Sequence, residues 1–210
     1  VARVIPSDNY VAFAMEADPW KCSISPYQGG AETVAKALRS LAVAGASPLG
    51  LTDCLNFPSP EKSTQFWELQ QCGEGMAECS RELECPVVSG NVSLYNEYPG
   101  GRILPTPLVV AAGLIANIEN YIPAGRWKEK DRIFLVGELE AAFGGTHYVY
   151  ARTGSFYGPL LPFEPEREKD FIRRARETAA RGAATSGRAL AGGGLGIALA
   201  RETMACGIGL

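Results

Sequence analysis

Residues 86–97, PVVSGNVSLYNE, begin as an apolar strand and turn polar before a core strand would be expected to end. The first three residues have the composition of a buried strand, and small polar side chains follow at Ser89, Asn91 and Ser93. A helix pattern precedes this segment, and a strand pattern precedes that helix. Because a strand, helix, strand order in one sheet predicts a right-handed crossover, the two strands should be parallel. We therefore expect the polar residues at the carboxyl end of a strand in an α/β sheet.

The rest of the chain extends this α/β pattern. Strands are predicted at 10–17, 47–54, 85–90, 108–116 and 131–138. Helices are predicted from residue 31 to a left-handed cap at Gly45, from Ser59 to about Leu83, over Pro165–Arg181, and after a glycine-rich turn that begins at Ala191. The segment SPYQGG, 25–30, has turn composition. The second helix should bury Phe66, Leu69, Gly73, Met76 and Ala77. Alternating helices and strands predict a layered α/β domain over 1–117, with a second unit over 118–210.

Composition excludes several classes of protein. Of 210 residues, 46% are hydrophobic and 20% are charged, with a net charge of −3, so the chain lacks the basic surface of a nucleic-acid-binding protein. No apolar run approaches the roughly 20 residues that span a bilayer, and no signal peptide is evident, so we expect no membrane partner and a cytoplasmic location. The chain begins at Val1 rather than Met, and we expect a piece of a longer protein.

A second polar segment, TDCLN at 52–56, ends another predicted strand. If the two strands are parallel, both polar segments lie at the sheet edge where open α/β sheets bind ligands. Backbone N–H groups there could form an anion-binding nest, and carboxylate and amide groups could contact ribose or a metal ion. The alternative is an ordinary turn, which uses the same residue types. The predicted substrate-binding residues are Asp53, Asn56, Ser89, Gly90, Asn91 and Ser93.

Three other features favour structural roles. The six cysteines form no Cys-x-x-Cys pair and lie far from the single His147, so we expect reduced thiols and no zinc site. Cys54 has no histidine nearby in sequence that would make it a nucleophile, and His147 lies among aromatic residues. The glycine-rich stretch 191–196 could admit a phosphate at a helix N-terminus, but close helix packing explains it equally well.

Longer stretches resemble the phosphoribosylformylglycinamidine synthase family. They are GGAETVAKALRSLAVAGASPLGLTDCLNFPSPEKSTQFW at 29–67, PVVSGNVSLYNE at 86–97, ILPTP at 103–107, KDRIFLVGE at 130–138, FGGTHYVY at 143–150 and GGGLGIAL at 192–199. The combination of LTDCLNF and SGNVSLYNE is the most specific part. The resemblance implies an aminoimidazole ribonucleotide synthetase-like N-terminal α/β domain, cut short at its start, followed by part of the C-terminal α/β domain. It also implies that the chain is the second of two tandem synthetase halves.

The resemblance further implies an ATP- and Mg²⁺-dependent ligase of purine biosynthesis. The family converts formylglycinamide ribonucleotide to the amidine with ammonia that a glutaminase subunit or domain releases from glutamine. The expected partners are this substrate, the first synthetase half and the glutaminase. The residues around SGNVS would form part of the substrate-binding wall, and no catalytic residue of the family is expected in this chain.

The chain departs from the family where metal ligands are expected. Lys36 and Ser40 stand where the family has Glu and Asn, and the 188–194 stretch RALAGGG replaces a segment that carries an Asp ligand. Because Mg²⁺ requires oxygen donors, we expect this half to bind Mg-ATP weakly or not at all, with Lys36 or Arg188 as fixed cations in that space. Two alternatives stay open: a non-catalytic scaffold half, or another ATP-dependent enzyme of the same superfamily.

Overall fold

The computed structural model describes residues 1–139 and 142–209, which form a five-stranded sheet, a small hairpin and six α-helices within that range. The strands are β1 (Ala2–Arg3), β2 (Tyr10–Ala17), β3 (Ser47–Asn56), β4 (Val87–Ser93), β5 (Glu97–Tyr98), β6 (Gly101–Arg102) and β7 (Thr106–Ile115). The helices are α1 (Pro19–Ile24), α2 (Pro26–Val43), α3 (Ser63–Glu82), α4 (His147–Thr153), α5 (Pro165–Ala180) and α6 (Gly194–Cys206). A short 3₁₀ turn covers Ile118–Asn120.

The main sheet has the strand order β1-β2-β7-β3-β4. Strands β3 and β4 are parallel and are joined through α3, which confirms the predicted crossover, whereas the other neighbouring pairs are antiparallel. Strands β5 and β6 form a separate hairpin, and Gly100 in its turn has a φ of 88° that favours glycine. The polar ends of β3 and β4 therefore lie side by side at one edge of the sheet.

One face of the sheet is covered by α2 and α3, and the other face is open. Strand β7 shows this by strict alternation: its odd-numbered residues, such as Val109 and Ala111, are buried, and its even-numbered residues are half-buried. Val34, Leu38 and Leu41 of α2 pack on the buried face. On the open face Phe13 and Met15 of β2 are about two-thirds exposed, at 65% and 64%.

Ser25 is the N-cap of α2 and residues 26–30 form about its first turn and a half, so the predicted SPYQGG turn is wrong. Its glycines serve close packing. A Cβ at Gly30 would lie 2.5 Å from the carbonyl oxygen of Cys72, and one at Gly29 would lie 2.5 Å from the backbone nitrogen of Cys22. Because both glycines lack a Cβ atom, the backbone of α2 packs directly against the backbones of α1 and α3. Tertiary packing therefore overrides the low helix propensity of glycine here.

Two further expectations fail for identifiable reasons. Helix α3 begins at Ser63, because the Ser59 hydroxyl accepts from the N–H of Glu61 in a preceding turn. Its buried face carries Cys72, Gly75 and Met76, and of the predicted inner face Phe66 and Ala77 are exposed. Residues 131–138 form no strand, since no described segment pairs with them.

Helix α5 packs against α2, although it lies in the second half of the chain. Phe163, just before the helix, and Ile172 within it contact the core of the sheet domain. Arg39 of α2 donates two hydrogen bonds to the carboxylate of Glu168, one of them 3.0 Å long. Across the described ranges, no helix combines the length and apolar character that crossing a bilayer requires.

Candidate functional site

The predicted site residues divide between the two faces of the sheet. The register pairs Thr52 with Ser89, Asp53 with Gly90, and Asn56 with Ser93. Because side chains alternate along a strand, Asn56, Ser89, Asn91 and Ser93 belong to the open face, whereas Asp53 belongs to the face covered by helices. The contacts agree, since the amide of Asn91 lies 3.5 Å from the sulfur of Cys54 on the open face. The six residues therefore do not form a single surface.

Two of the open-face residues are held by internal hydrogen bonds. The Asn56 amide donates to the carbonyl oxygens of Cys54 at 3.0 Å and Thr106 at 3.4 Å. The Ser93 hydroxyl accepts from the Asn96 amide at 3.3 Å. These bonds hold the strand ends in place, so both residues position the site more than they offer groups to a ligand.

Ser89 and Asn91 are exposed and keep polar groups available. Ser89 has no hydrogen bond to its side chain in the described part of the chain, and Asn91 has only its weak contact with a thiol. Between them lies Gly90, which also faces solvent. This short row on the edge strand β4 is the part of the predicted site that can meet a ligand directly.

The predicted anion nest at Gly90 and Asn91 is wrong in its geometry. A nest needs successive N–H groups that point into one concavity, as in alternating right- and left-handed backbone. Residues 87–93 are instead a β-strand, in which successive N–H groups point to opposite sides. Any ligand here would meet side chains and the outward N–H groups of an edge strand.

Asp53 has a separate environment on the helix-covered face. Partial burial raises the pKa of its carboxyl group above the ordinary value. No hydrogen bond or ion pair reaches this carboxylate from any described residue. A Cβ at position 90 would lie only 2.6 Å from its Oδ1 atom, so Gly90 leaves the space that the carboxylate occupies.

A second polar constellation lies where α2 faces the end of β2 and the start of α1. Three α2 residues at helical spacing, Glu32, Lys36 and Ser40, lie in one row. Each has its own partner: Glu32 pairs with Lys21, Lys36 pairs with Asp18, and the Ser40 hydroxyl donates to Glu16 at 3.1 Å. We call these six residues the α2 polar row.

A cavity of about 360 Å³ adjoins the end of this row. Glu16 and Ser40 lie on one side, and the glycine-rich segment with Arg188 and Ala189 lies on the other. Gly193 and Gly194, with φ of 90° and 64°, lead into α6, as predicted for a glycine-rich turn entering a helix. Arg188 is not free, because it pairs with Glu202, whose side chain is only 3% exposed.

The residues present do not fit a divalent cation in the manner the resemblance implies. At the three positions where oxygen ligands were expected stand a lysine, a serine and an alanine. The ammonium group of Lys36 already forms an ion pair with the Asp18 carboxylate, and the Ser40 hydroxyl donates a hydrogen bond to Glu16. A metal ion would have to displace an ion pair that is largely buried.

The cysteines and His147 have the structural settings expected of them. All six thiols are free, and Cys22, Cys72, Cys79 and Cys85 are buried. Burial raises the pKa of Cys79 to about 12 and that of Cys85 to about 11, so neither is an activated nucleophile. His147 begins α4, and its ring lies edge-on to that of Trp20, with 5.8 Å between centroids.

Sequence reasoning missed most of the α2 polar row and the role of Asn96. The row had a visible signal, because Glu32 and Lys36 are opposite charges at a spacing of four in a helix rich in apolar residues. Their partners Asp18 and Lys21 had no recognisable signal in the sequence, since only the fold brings them opposite α2. Asn96 donates to the carbonyl oxygens of Phe57 and Ser93, and so fixes the chain just after β4.

The chain is similar in sequence to subunits of a known enzyme. The PurL subunit of phosphoribosylformylglycinamidine synthase from Moorella thermoacetica is 39% identical over 209 residues, which is all of this chain and 28% of the relative. The subunit of the same name from Limosilactobacillus reuteri is 38% identical over 187 residues, covering 89% of this chain and 25% of the relative. The chain thus spans little more than a quarter of these relatives.

Solved structures agree at the level of the fold. Thermotoga maritima PurL complexed with FGAR superposes with a TM-score of 0.66 over 93% of this chain and 31% of that one, at 20% identity. The ATP complex of T. maritima PurL gives 0.60 over 85% of this chain and 26% of that one, at 22% identity. The family model described as "AIR synthase related protein, N-terminal domain" matches residues 1–115, more than half of the chain. The chain therefore belongs to the family of AIR synthase related proteins, with their N-terminal domain in its first 115 residues.

Proposed function

We propose that this chain is part of the synthetase component of a phosphoribosylformylglycinamidine synthase. The single observation that carries the proposal is 39% identity to a subunit of that name along the full length of the chain. The reaction would be ATP-dependent formation of a C–N bond, in which ammonia replaces the formyl-amide oxygen of formylglycinamide ribonucleotide. The same relatives favour this enzyme over other ATP-dependent members of the superfamily. A cytoplasmic location would follow from such a biosynthetic role.

In this proposal the chain supplies a binding wall and not the reacting groups. Ser89 and Asn91 would donate hydrogen bonds to hydroxyl or phosphate oxygens of the substrate, while Asn56 and Ser93 hold the strand ends in register. Asp53 lies on the helix-covered face and would not contact the substrate. ATP, Mg²⁺ and the catalytic groups would be held by the first synthetase half, with ammonia from a glutaminase. Residues 1–117 and 118–210 would be two units, the second incomplete.

The test uses the complete synthase that contains this segment. Ser89→Ala and Asn91→Ala should each raise KM for formylglycinamide ribonucleotide by roughly tenfold with little change in kcat, because each removes one hydrogen bond that ground state and transition state share. Asp53→Asn is the matched control on the opposite face and should leave KM unchanged. A rise in KM confined to the Asp53 variant would overturn the assignment of the open face.

The isolated 210-residue chain provides a second test. It should show no synthase turnover with ATP, Mg²⁺ and ammonium, since it lacks the reacting groups. Turnover by the chain alone would contradict the proposal.

A second candidate function is a non-catalytic scaffold half, which the internally paired α2 polar row favours. In that case the isolated chain should bind ATP only at millimolar concentration or weaker, with the same affinity in Mg²⁺ and in EDTA. Tight, metal-dependent binding measured by calorimetry would exclude the scaffold role.

A further inference from the structure

The α2 polar row joins α2 to the segment that connects β2 with α1. Its three contacts follow one another along the helix at intervals of about one turn, from Glu32 through Lys36 to Ser40. On the opposite side Lys21, Asp18 and Glu16 run back along the chain in the reverse order. Each contact alone is ordinary. Together they close this side of the domain with polar groups, whereas Val34, Leu38 and Leu41 of α2 pack against the sheet with apolar side chains.

Both ion pairs of the row are largely shielded from solvent. The side chains of Lys36 and Asp18 are 17% and 13% exposed, against 24% and 11% for Lys21 and Glu32. Both carboxylate oxygens of Asp18 are used: Oδ1 accepts from the backbone N–H of Lys21 at 3.1 Å as the cap of α1, and Oδ2 accepts from the Lys36 ammonium. Removing Lys36 would leave a capped but uncompensated carboxylate in a largely buried place.

The charges in the row depend on Lys36. Glu16, Asp18 and Glu32 contribute three carboxylates, which Lys21 and Lys36 face with two ammonium groups. Without Lys36 the excess negative charge would double, from one to two. The carboxylates lie along about two turns of α2, and no three acidic, histidine or cysteine side chains of the described residues are grouped closely enough to hold one metal ion.

We infer that Lys36 is the built-in cation of the α2 polar row, and that this side of the domain is complete without a divalent metal. Through its pair with Asp18 the lysine offsets the negative charge of the row and holds the β2–α1 connection against α2. This role concerns folding of the chain itself, and it does not depend on the proposed enzymatic activity.

Thermal unfolding of the 210-residue chain, with and without metal, tests the inference. The wild-type Tm should be the same in EDTA as in about 10 mM MgCl₂ or CaCl₂. Lys36→Met keeps the aliphatic stem and removes the charge, and should lower Tm in EDTA by roughly 5–10 °C. Added Mg²⁺ or Ca²⁺ should not restore that loss, because no three carboxylates of the described residues are grouped closely enough to hold one metal ion. Lys169→Met, which breaks an exposed pair with Glu84, is the matched control and should change Tm by about 1 °C or less.

The double variant Asp18→Asn/Lys36→Met separates charge from packing. Asparagine still caps α1, and the uncompensated carboxylate is gone, so its Tm in EDTA should lie above that of Lys36→Met and should not respond to metal. If Lys36→Met does not fold, a folded double variant still supports the inference, and an unfolded one overturns it. A wild-type Tm that falls in EDTA, or a Lys36→Met variant no less stable than Lys169→Met, would also overturn it.

Discussion

Two glycines in helix α3 should respond in opposite directions to the same substitution. A Cβ at Gly75 would lie 2.8 Å from the carbonyl carbon of Tyr27 in α2 and 3.1 Å from its Cα, with the carbonyl oxygen nearer still. At Gly73, two residues earlier, a Cβ would meet no atom within 4 Å. Alanine at position 75 must therefore push α2 and α3 apart, whereas alanine at position 73 extends into open space.

The expected magnitudes follow from these distances. Ordinary contact begins near 3.4 Å, so the Cβ at position 75 is too close by at least about 0.6 Å, and only backbone movement can relieve it. Overpacking of this kind costs about 1–3 kcal/mol, and a rigid backbone partner places Gly75→Ala at the upper end. Alanine is the better helix former by about 1 kcal/mol, and Gly73→Ala should gain most of that. Because both positions lie inside α3, the propensity gain applies to both variants, and they should differ by the overpacking cost alone, about 2–3 kcal/mol.

Urea unfolding followed by circular dichroism measures this difference directly. Gly75→Ala should shift the midpoint to lower urea and Gly73→Ala to higher urea, with the slope m unchanged in both. The reasoning would be refuted if Gly75→Ala were as stable as wild type, because the close approach of the two helices could then not be required for the fold.

Two other predictions concern ionisable groups. Burial raises the pKa of Asp53, so the folded chain keeps this proton to higher pH than the unfolded chain, and the associated stability declines as pH rises through the folded pKa. Asp53→Asn should therefore be more stable than wild type in urea at pH 7, with the difference disappearing near pH 3; a difference that grows towards low pH would contradict the assigned cause. Thiol labelling of the native chain at pH 8, followed by peptide mass spectrometry, should modify Cys54 and Cys206 well before the four buried cysteines, and rapid labelling of Cys79 or Cys85 would contradict their burial.

Sequence patterns predicted the helices and strands whose conformation is determined mainly by their own residues. Strand β2 has the predicted bounds, Tyr10–Ala17, and helix α5 ends one residue before the predicted end at Arg181. In both cases the periodicity of side chains along the element is strong. The parallel arrangement of β3 and β4 also followed from the order of elements and the handedness of crossovers.

The predictions failed where the conformation of a segment depends on a neighbouring segment in the fold. Glycine composition at 29–30 indicates a turn in isolation, but in the fold it allows three helices to meet closely. The apolar stretch at 131–138 has strand composition, yet a strand needs a hydrogen-bonding neighbour. In the candidate site, spacing placed β3 and β4 together. It could not show that residues 89–93 are strand rather than loop, which separates Asp53 from Ser89 and Asn91.

The docking of helix α5 has a consequence for where this protein can be divided. The covalent boundary expected near residue 117 separates two stretches of sequence, but Ile172 and the Arg39–Glu168 pair join them in space. Cutting the chain at that point would expose part of the core surface of α2 and leave Arg39 without its carboxylate partner. The smallest autonomously folding piece should therefore reach beyond Ala180, because a helix from the second stretch of sequence completes the core of the first.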